Sequence, residues 1–299
     1  MTGSVGGAAR RDFWTDYQPG MRATDAPVGS PEYFADVEAH RYRLEPDIQE
    51  LARFGDWRDR DVLEAGCGGG TDAMQFVRAG ARYTGIDFSP TALELAERRA
   101  ALEGANARFV EGSVADLPFA DASFDLVYSN GVIHHLPETA TAIREFHRVL
   151  RPGGVALVMV YHRSSFNFYV SIMLVRRVLA AALLVPRGAT AVARLTGERA
   201  DVLAGHRALL REHGLRYLAD PALFLSHNTD GPGNPLSKVY TAGGMRHAFS
   251  IFDDVETSVR FLNVRAYPLG ETIERLAPVQ RLGRRWGWHL WVRARKRAP

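Results

Sequence analysis

Cysteine is nearly absent from this 299-residue sequence, where Cys67 stands alone. An internal disulfide is therefore excluded, and a reducing compartment, the cytoplasm, is expected. No His or acidic residue beside Cys67 is set to activate it, so it reads as a small residue in a tight turn. The opening stretch MTGSVGGAARRDFW lacks an apolar core long enough for a signal peptide. Long uncharged apolar runs are also missing. The longest apolar stretch, Phe166 to Val185, carries Arg176 and Arg177 at its middle. A lone membrane span tolerates such a pair badly. Three readings stay open for it: a helix packed over the functional site, an interfacial helix making peripheral membrane contact through 166–185, and a span. One sign of charge does not dominate, since the net charge is only +3. The basic excess gathers at Arg281, Arg284, Arg285, Arg293, Arg295, Lys296 and Arg297. No nucleic-acid motif accompanies it, so it reads as a solvated surface rather than a DNA or RNA contact.

What is present is the composition of a globular α/β protein, 46% apolar and 24% charged. The chain is organised around DVLEAGCGGGTDAMQFVRAGARYTGIDF, Asp61 to Phe88. Val62 to Ala65 is a short apolar run suited to a buried strand. Gly66, Gly68, Gly69 and Gly70 then allow a sharp turn against which a ligand can lie. Thr71 and Asp72 are expected to cap a helix that turns Ala73, Met74, Phe76 and Val77 inward and ends at Gly80. A second strand, Tyr83 to Ile86, finishes on Asp87. An acidic residue there, about 20 residues after the glycines, is placed for ribose hydroxyls in a βαβ nucleotide site.

LEAGCGGG and GIDFSP together resemble the first two motifs of class I S-adenosylmethionine (SAM)-dependent methyltransferases, of the methyltransferase type 11-like, small-molecule kind. Further motifs match in order: Leu117-Pro118-Phe119, Phe124-Asp125 opening a fourth strand, and Leu150-Arg151-Pro152-Gly153-Gly154 before a fifth, Val155 to Val160. The resemblance covers residues 31 to 165 closely and the last sixty weakly. It implies SAM as cofactor, touched by Glu64, Gly66, Gly68, Asp87, Phe88, Ser113, Val114 and Asn130. Ser113 departs from the pattern, because many relatives carry an acid there.

Five β/α units in about a hundred residues imply an open parallel sheet with right-handed crossovers. The expected fold is α/β: a seven-stranded, mostly parallel Rossmann-like sheet with helices on both faces. A poorly ordered segment (1–30) precedes N-terminal helices (31–60) and the SAM-binding core (61–165). A helical cap (166–239) is inserted after the fifth strand, with one helix over Phe166 to Val185 and a second over Arg199 to Leu218. The C-terminal part (240–299) returns to the sheet through a helix, Ala242 to Phe252, and strands Glu256 to Leu262 and Trp286 to Ala294. The resemblance implies that the last strand runs antiparallel beside the fifth. Phe13, Trp14 and Tyr17 are expected to dock onto the body.

Methyl transfer needs alignment and exclusion of water more than a strong catalytic motif. For a hydroxyl acceptor a general base helps, and the candidates are His135 after the fourth strand and His162 after the fifth, with His134 behind them. Tyr33, Arg41 and Tyr42, with His40, are candidates to face the site from the N-terminal helices. Missing motifs narrow the acceptor. There is no Asn/Asp-Pro-Pro-aromatic after the fourth strand, no cysteine there, no pair of glutamates as in arginine methyltransferases, and no metal set. The expected acceptor is a small apolar or aromatic molecule, methylated on oxygen, nitrogen or carbon. The alternatives are a non-catalytic SAM-binding scaffold and an RNA methyltransferase using the basic tail.

Overall fold

The computed structural model describes residues 11–15, 24–264, 270–274 and 276–298. Seven strands form one sheet: β1 Asp61–Ala65, β2 Arg82–Asp87, β3 Ala107–Glu111, β4 Phe124–Asn130, β5 Leu150–Tyr161, β6 Asp254–Arg260 and β7 His289–Arg295. Their order is β3-β2-β1-β4-β5-β7-β6. The first five run parallel, and β7 lies antiparallel between β5 and β6. This is the expected α/β sheet, antiparallel last strand included. The order reverses between β1 and β4, which opens a ligand crevice at their carboxyl ends.

Strands β1, β4 and β5 are buried on both faces, and their near-continuous apolar runs follow from that. Alternation divides them into two cores. One face carries Val62, Leu126, Tyr128, Leu157, Met159, Tyr161 and Trp291. Against it pack α3 (Thr71–Arg78) through Met74 and Phe76, and the helices after β5. The other face carries Leu63, Val127, Ala156, Val158, Val160 and Val292. It is covered by the helix Thr139–Val149, whose Ala142, Ile143, Phe146 and Val149 recur at helical spacing. Two N-terminal helices, α1 (Pro31–Leu44) and α2 (Asp47–Ala52), precede β1. Ser30 caps α1 by accepting from the Tyr33 N–H at 3.1 Å. The helix α4 (Pro90–Glu103) follows β2 and is capped by Ser89 in the same way.

Several local expectations are corrected. Gly70, at φ +77°, precedes α3, and neither Thr71 nor Asp72 caps it, because Asp72 turns inward to a buried guanidinium. The stretch after β5 is a π-helix over Asn167–Arg176 that continues as an α-helix over Arg177–Ala182, and the chain then reverses around Pro186. Among the described residues no helix is long and apolar enough to cross a membrane, which removes the span reading. Helix Gly188–Thr196 follows, unforeseen in the sequence. The helix expected over Arg199 to Leu218 stops at His213, because Gly214 leaves helical backbone at φ +58°, ψ −145°. Two short helices, Arg216–Ala219 and Pro221–Ser226, complete this part. The helix from Ala242 ends at Ala248, and a helix Ala277–Trp286 takes the place of the start of the last strand. At the other end, residues 11–15 are helical. The Trp14 ring lies 4.8 Å from that of His135. Tyr17 lies outside the described residues.

Candidate active site at the carboxyl rim of the sheet

The glycine loop leaves β1 at its carboxyl end. Gly66 sits at φ +85°, and a Cβ there would stand 2.3 Å from Val132 Cγ2, so only glycine fits. Gly68, at φ +51°, faces open space on its side-chain side. Asp87 ends β2 and holds the loop from below. Its Oδ2 accepts from the Gly68 N–H at 2.9 Å, and its Oδ1 accepts from the Ser89 N–H at 3.0 Å. Burial raises the Asp87 carboxyl above its usual range, and these N–H groups partly offset the rise. Each carboxylate oxygen keeps a further lone pair for a ligand hydroxyl. Phe88 beside it is half-buried.

A buried polar layer lies beneath the loop. Asp72 is only 2% exposed. Arg41 from α1 grips it in a bidentate pair, Nε to Oδ1 at 2.8 Å and Nη2 to Oδ2 at 2.6 Å. The hydroxyls of Tyr42 and Tyr128 each donate to it at 2.8 Å. Burial raises the Asp72 carboxyl, but Arg41 and the two tyrosine hydroxyls together more than offset it and hold it below the ordinary range. Asn130, at the tip of β4, donates from Nδ2 to the Tyr128 hydroxyl at 3.0 Å. Glu64 accepts from the Tyr83 hydroxyl at 2.6 Å. Burial, with the nearby Asp72 charge, lifts Glu64 well above the usual carboxyl range.

A second cluster at the rim begins after β4. Ser129 Oγ donates to the Ala65 carbonyl at 2.9 Å and fixes β4 to β1. The 3-10 turn Ile133–His135 then brings the His134 ring to 3.9 Å from Tyr161 and 4.1 Å from His135. Tyr161 stacks on Trp288 at 4.4 Å, and its hydroxyl donates to Asp230 Oδ1 at 3.0 Å. His135 Nδ1 lies 2.8 Å from the Leu236 carbonyl oxygen. A carbonyl only accepts, so Nδ1 carries a proton toward it. Nε2 stands 3.5 Å from Asp230 Oδ2. Burial lowers the His135 pKa, which Asp230 and the Leu236 carbonyl partly offset. Burial lowers His134 further, with help from the neighbouring His135 and His289.

The structure thus brings Gly66, Gly68 and Asp87 together. It joins Arg41 and Tyr42 to Asp72, and His134 and His135 to Tyr161. His162 does not join them. Strand alternation points it away from Tyr161, and its Nδ1 pairs with the Gly287 carbonyl at 3.1 Å. Tyr33 packs with Phe34, Val37 and Leu95 rather than with Arg41 and Tyr42. Ser113 Oγ accepts from the Ala115 N–H at 3.2 Å within a tight turn, and Val114 beside it is buried. No sequence signal marks Asp230, which sits in a Gly- and Pro-rich loop and meets the rim only through the fold. Asp72 was visible, but as a cap.

The sequence pattern described as "Methyltransferase domain" matches residues 63–158, the span from the glycine loop to β5. Over this span the chain resembles class I SAM-dependent methyltransferases. It is 35% identical over 133 residues to a malonyl-[acyl-carrier protein] O-methyltransferase of Pseudescherichia vulneris, covering 44% of this chain and 51% of that protein. It is 29% identical to a ubiquinone biosynthesis O-methyltransferase of Albidiferax ferrireducens, over 78% of this chain and 91% of that protein. The matched part is about half the length of the first curated relatives, 51% and 48% in two of them. The fold is shared with the PH0226 protein of Pyrococcus horikoshii, at TM-score 0.52 and 16% identity, over 96% of this chain and 99% of that one. SAM is the cofactor that this resemblance implies. The residues fit it: Gly66 leaves a cradle that a Cβ would fill, Gly68 faces open space, and Asp87 keeps acceptor capacity at the crevice.

Proposed function

We propose that this protein transfers a methyl group from SAM to an oxygen of a small apolar or aromatic acceptor held beneath the helices of residues 167–226. The observation that carries this reading is His135, whose Nδ1 donates to the Leu236 carbonyl and whose Nε2 lies 3.5 Å from Asp230 Oδ2. Asp87 would meet the ribose hydroxyls, the Gly66–Gly68 backbone would lie along the ligand, and Ser113 and Val114 would stand at the adenine end. Bound SAM supplies a methyl group already activated by its sulfonium. The protein's own part is to position the acceptor, exclude water and take up its proton. His135 is the group placed to take up that proton. Asp230 then faces the imidazolium and stabilises it, while Tyr161 and Asn234 hold Asp230 in place at 3.0 and 3.1 Å. Trp14 closes over the His135 ring. The two relatives named above are both O-methyltransferases, which supports an oxygen acceptor. A cytoplasmic location belongs to the same proposal, in keeping with the free thiol of Cys67.

The test is turnover of methyl-labelled SAM against a panel of lipophilic phenols, alcohols and carboxylic acids. We expect a labelled methyl ether or ester, and we expect His135→Gln to lower kcat by about 10²–10⁴-fold with SAM affinity unchanged. Tight SAM binding with no turnover on any acceptor would replace this reading with that of a scaffold.

A further inference from the structure

The helices that follow β5 present an outer face unlike the rest of the surface. From Arg163 to Gly197 the sequence holds five arginines, Arg163, Arg176, Arg177, Arg187 and Arg194, and no Asp or Glu. In the same stretch Tyr169, Leu174, Val178, Leu184, Val185 and Leu195 each leave more than half of their surface in solvent, Leu195 as much as 78%. They are not scattered. Tyr169, Leu174 and Val178 recur every four or five residues along the π-helix and its α continuation, while Asn167, Ser171, Ile172 and Ala180 turn inward. Helices Arg177–Ala182 and Gly188–Thr196 pack against each other, so Leu184, Val185 and Leu195 extend the same region. Gathered apolar side chains of this size mark an interaction surface.

Charge decides between occupants. Large exposed apolar side chains with the exposed Arg187 and Arg194 among them, in a stretch of sequence from 163 to 197 that holds no acidic residue, match the boundary between anionic headgroups and acyl chains. The structure has no helix among the described residues able to cross a bilayer, so the fitting geometry is one that lies along it. We propose that this face docks on an anionic lipid surface, with Tyr169, Leu174, Val178 and Leu195 at the acyl boundary and the exposed Arg187 and Arg194 on lipid phosphates. The face belongs to the segment that leaves the carboxyl end of β5, the end of the sheet where the candidate active site lies. Docking there brings that site to the membrane, where an apolar acceptor dissolves. The proposal stands apart from the reading of the reaction, since it needs neither SAM nor an acceptor.

Co-sedimentation of the full chain with vesicles tests it. We expect binding to vesicles of phosphatidylcholine mixed with phosphatidylglycerol, little binding to phosphatidylcholine alone, and release at high salt as the arginine contacts are screened. The double variant Val178→Asp, Leu195→Asp changes two exposed positions, and we expect it to bind the anionic vesicles at least tenfold more weakly at unchanged melting temperature. Absence of binding to the anionic vesicles, or equal binding by the double variant, overturns the proposal. So does a concentration-dependent dimer that the double variant dissolves, which would assign the face to a second copy of the chain.

Discussion

His289 shows how a single residue sets a pH limit. It starts β7, is only 5% exposed, and has its pKa pushed down to about 3 by burial and by the charge of Arg41. The unfolded chain protonates His289 near its ordinary value of about 6.5, whereas the folded chain does not. The stability this position supports is therefore full above about pH 6.5 and falls as the pH drops toward 3. His289→Phe removes the effect. Between pH 7.5 and 5 the wild type should lose about 2 kcal/mol relative to that variant, read by urea denaturation at each pH. An equal pH dependence in both would refute the assignment. Residues of this kind were the least legible in the sequence. Gly66 and Asp87 announce themselves, because the turn and the strand tip that require them are local. His289, Asp72 and Asp230 acquire their environments from segments far along the chain: Asp72 from Arg41 and Tyr128, Asp230 from Tyr161 and His135.

Among the elements, α1 matters most for the site. Its packing rests on Tyr33, Phe34 and Val37, but its orientation rests on Arg41 and Tyr42, which reach Asp72 at the start of α3. The helix is thereby tied to the glycine loop it borders. Arg41→Leu leaves a buried carboxylate facing only tyrosine hydroxyls, and we expect it to destabilise the fold by about 3 kcal/mol. Adding Asp72→Asn should recover part of that loss, so a double-mutant cycle in denaturant should be markedly non-additive. Additive losses would mean that the pair is not coupled. Elements with a strong period were readable in the sequence: the five parallel strands, and the helix carrying Ile143, Phe146 and Val149. Helix ends after β5 were not. Apolar composition alone does not separate a π-helix from an α-helix, nor mark the break at Gly214.

At the scale of the whole molecule, the topology gathers the chemistry. The reversal of strand order between β1 and β4 places the Gly66 turn, Asp87 and the His134–His135 turn along one rim. The loop carrying Asp230 then returns to that rim from sixty-odd residues beyond β5 and closes the acceptor side. The sheet and its cofactor half could be read in advance because the family pattern is contiguous from Leu63 to Val158. The cluster of His135, Tyr161 and Asp230 could not, since its residues come from separate segments of the chain. The central claim is that the loop held by Asp87 binds SAM. Calorimetric titration of SAM into the wild type and into Asp87→Ala measures it directly. We expect saturable binding by the wild type and a loss of about 1–3 kcal/mol in the variant, from the removal of charge-assisted hydrogen bonds to the ligand and to the loop. No binding by the wild type, or equal affinity in the two proteins, would contradict it.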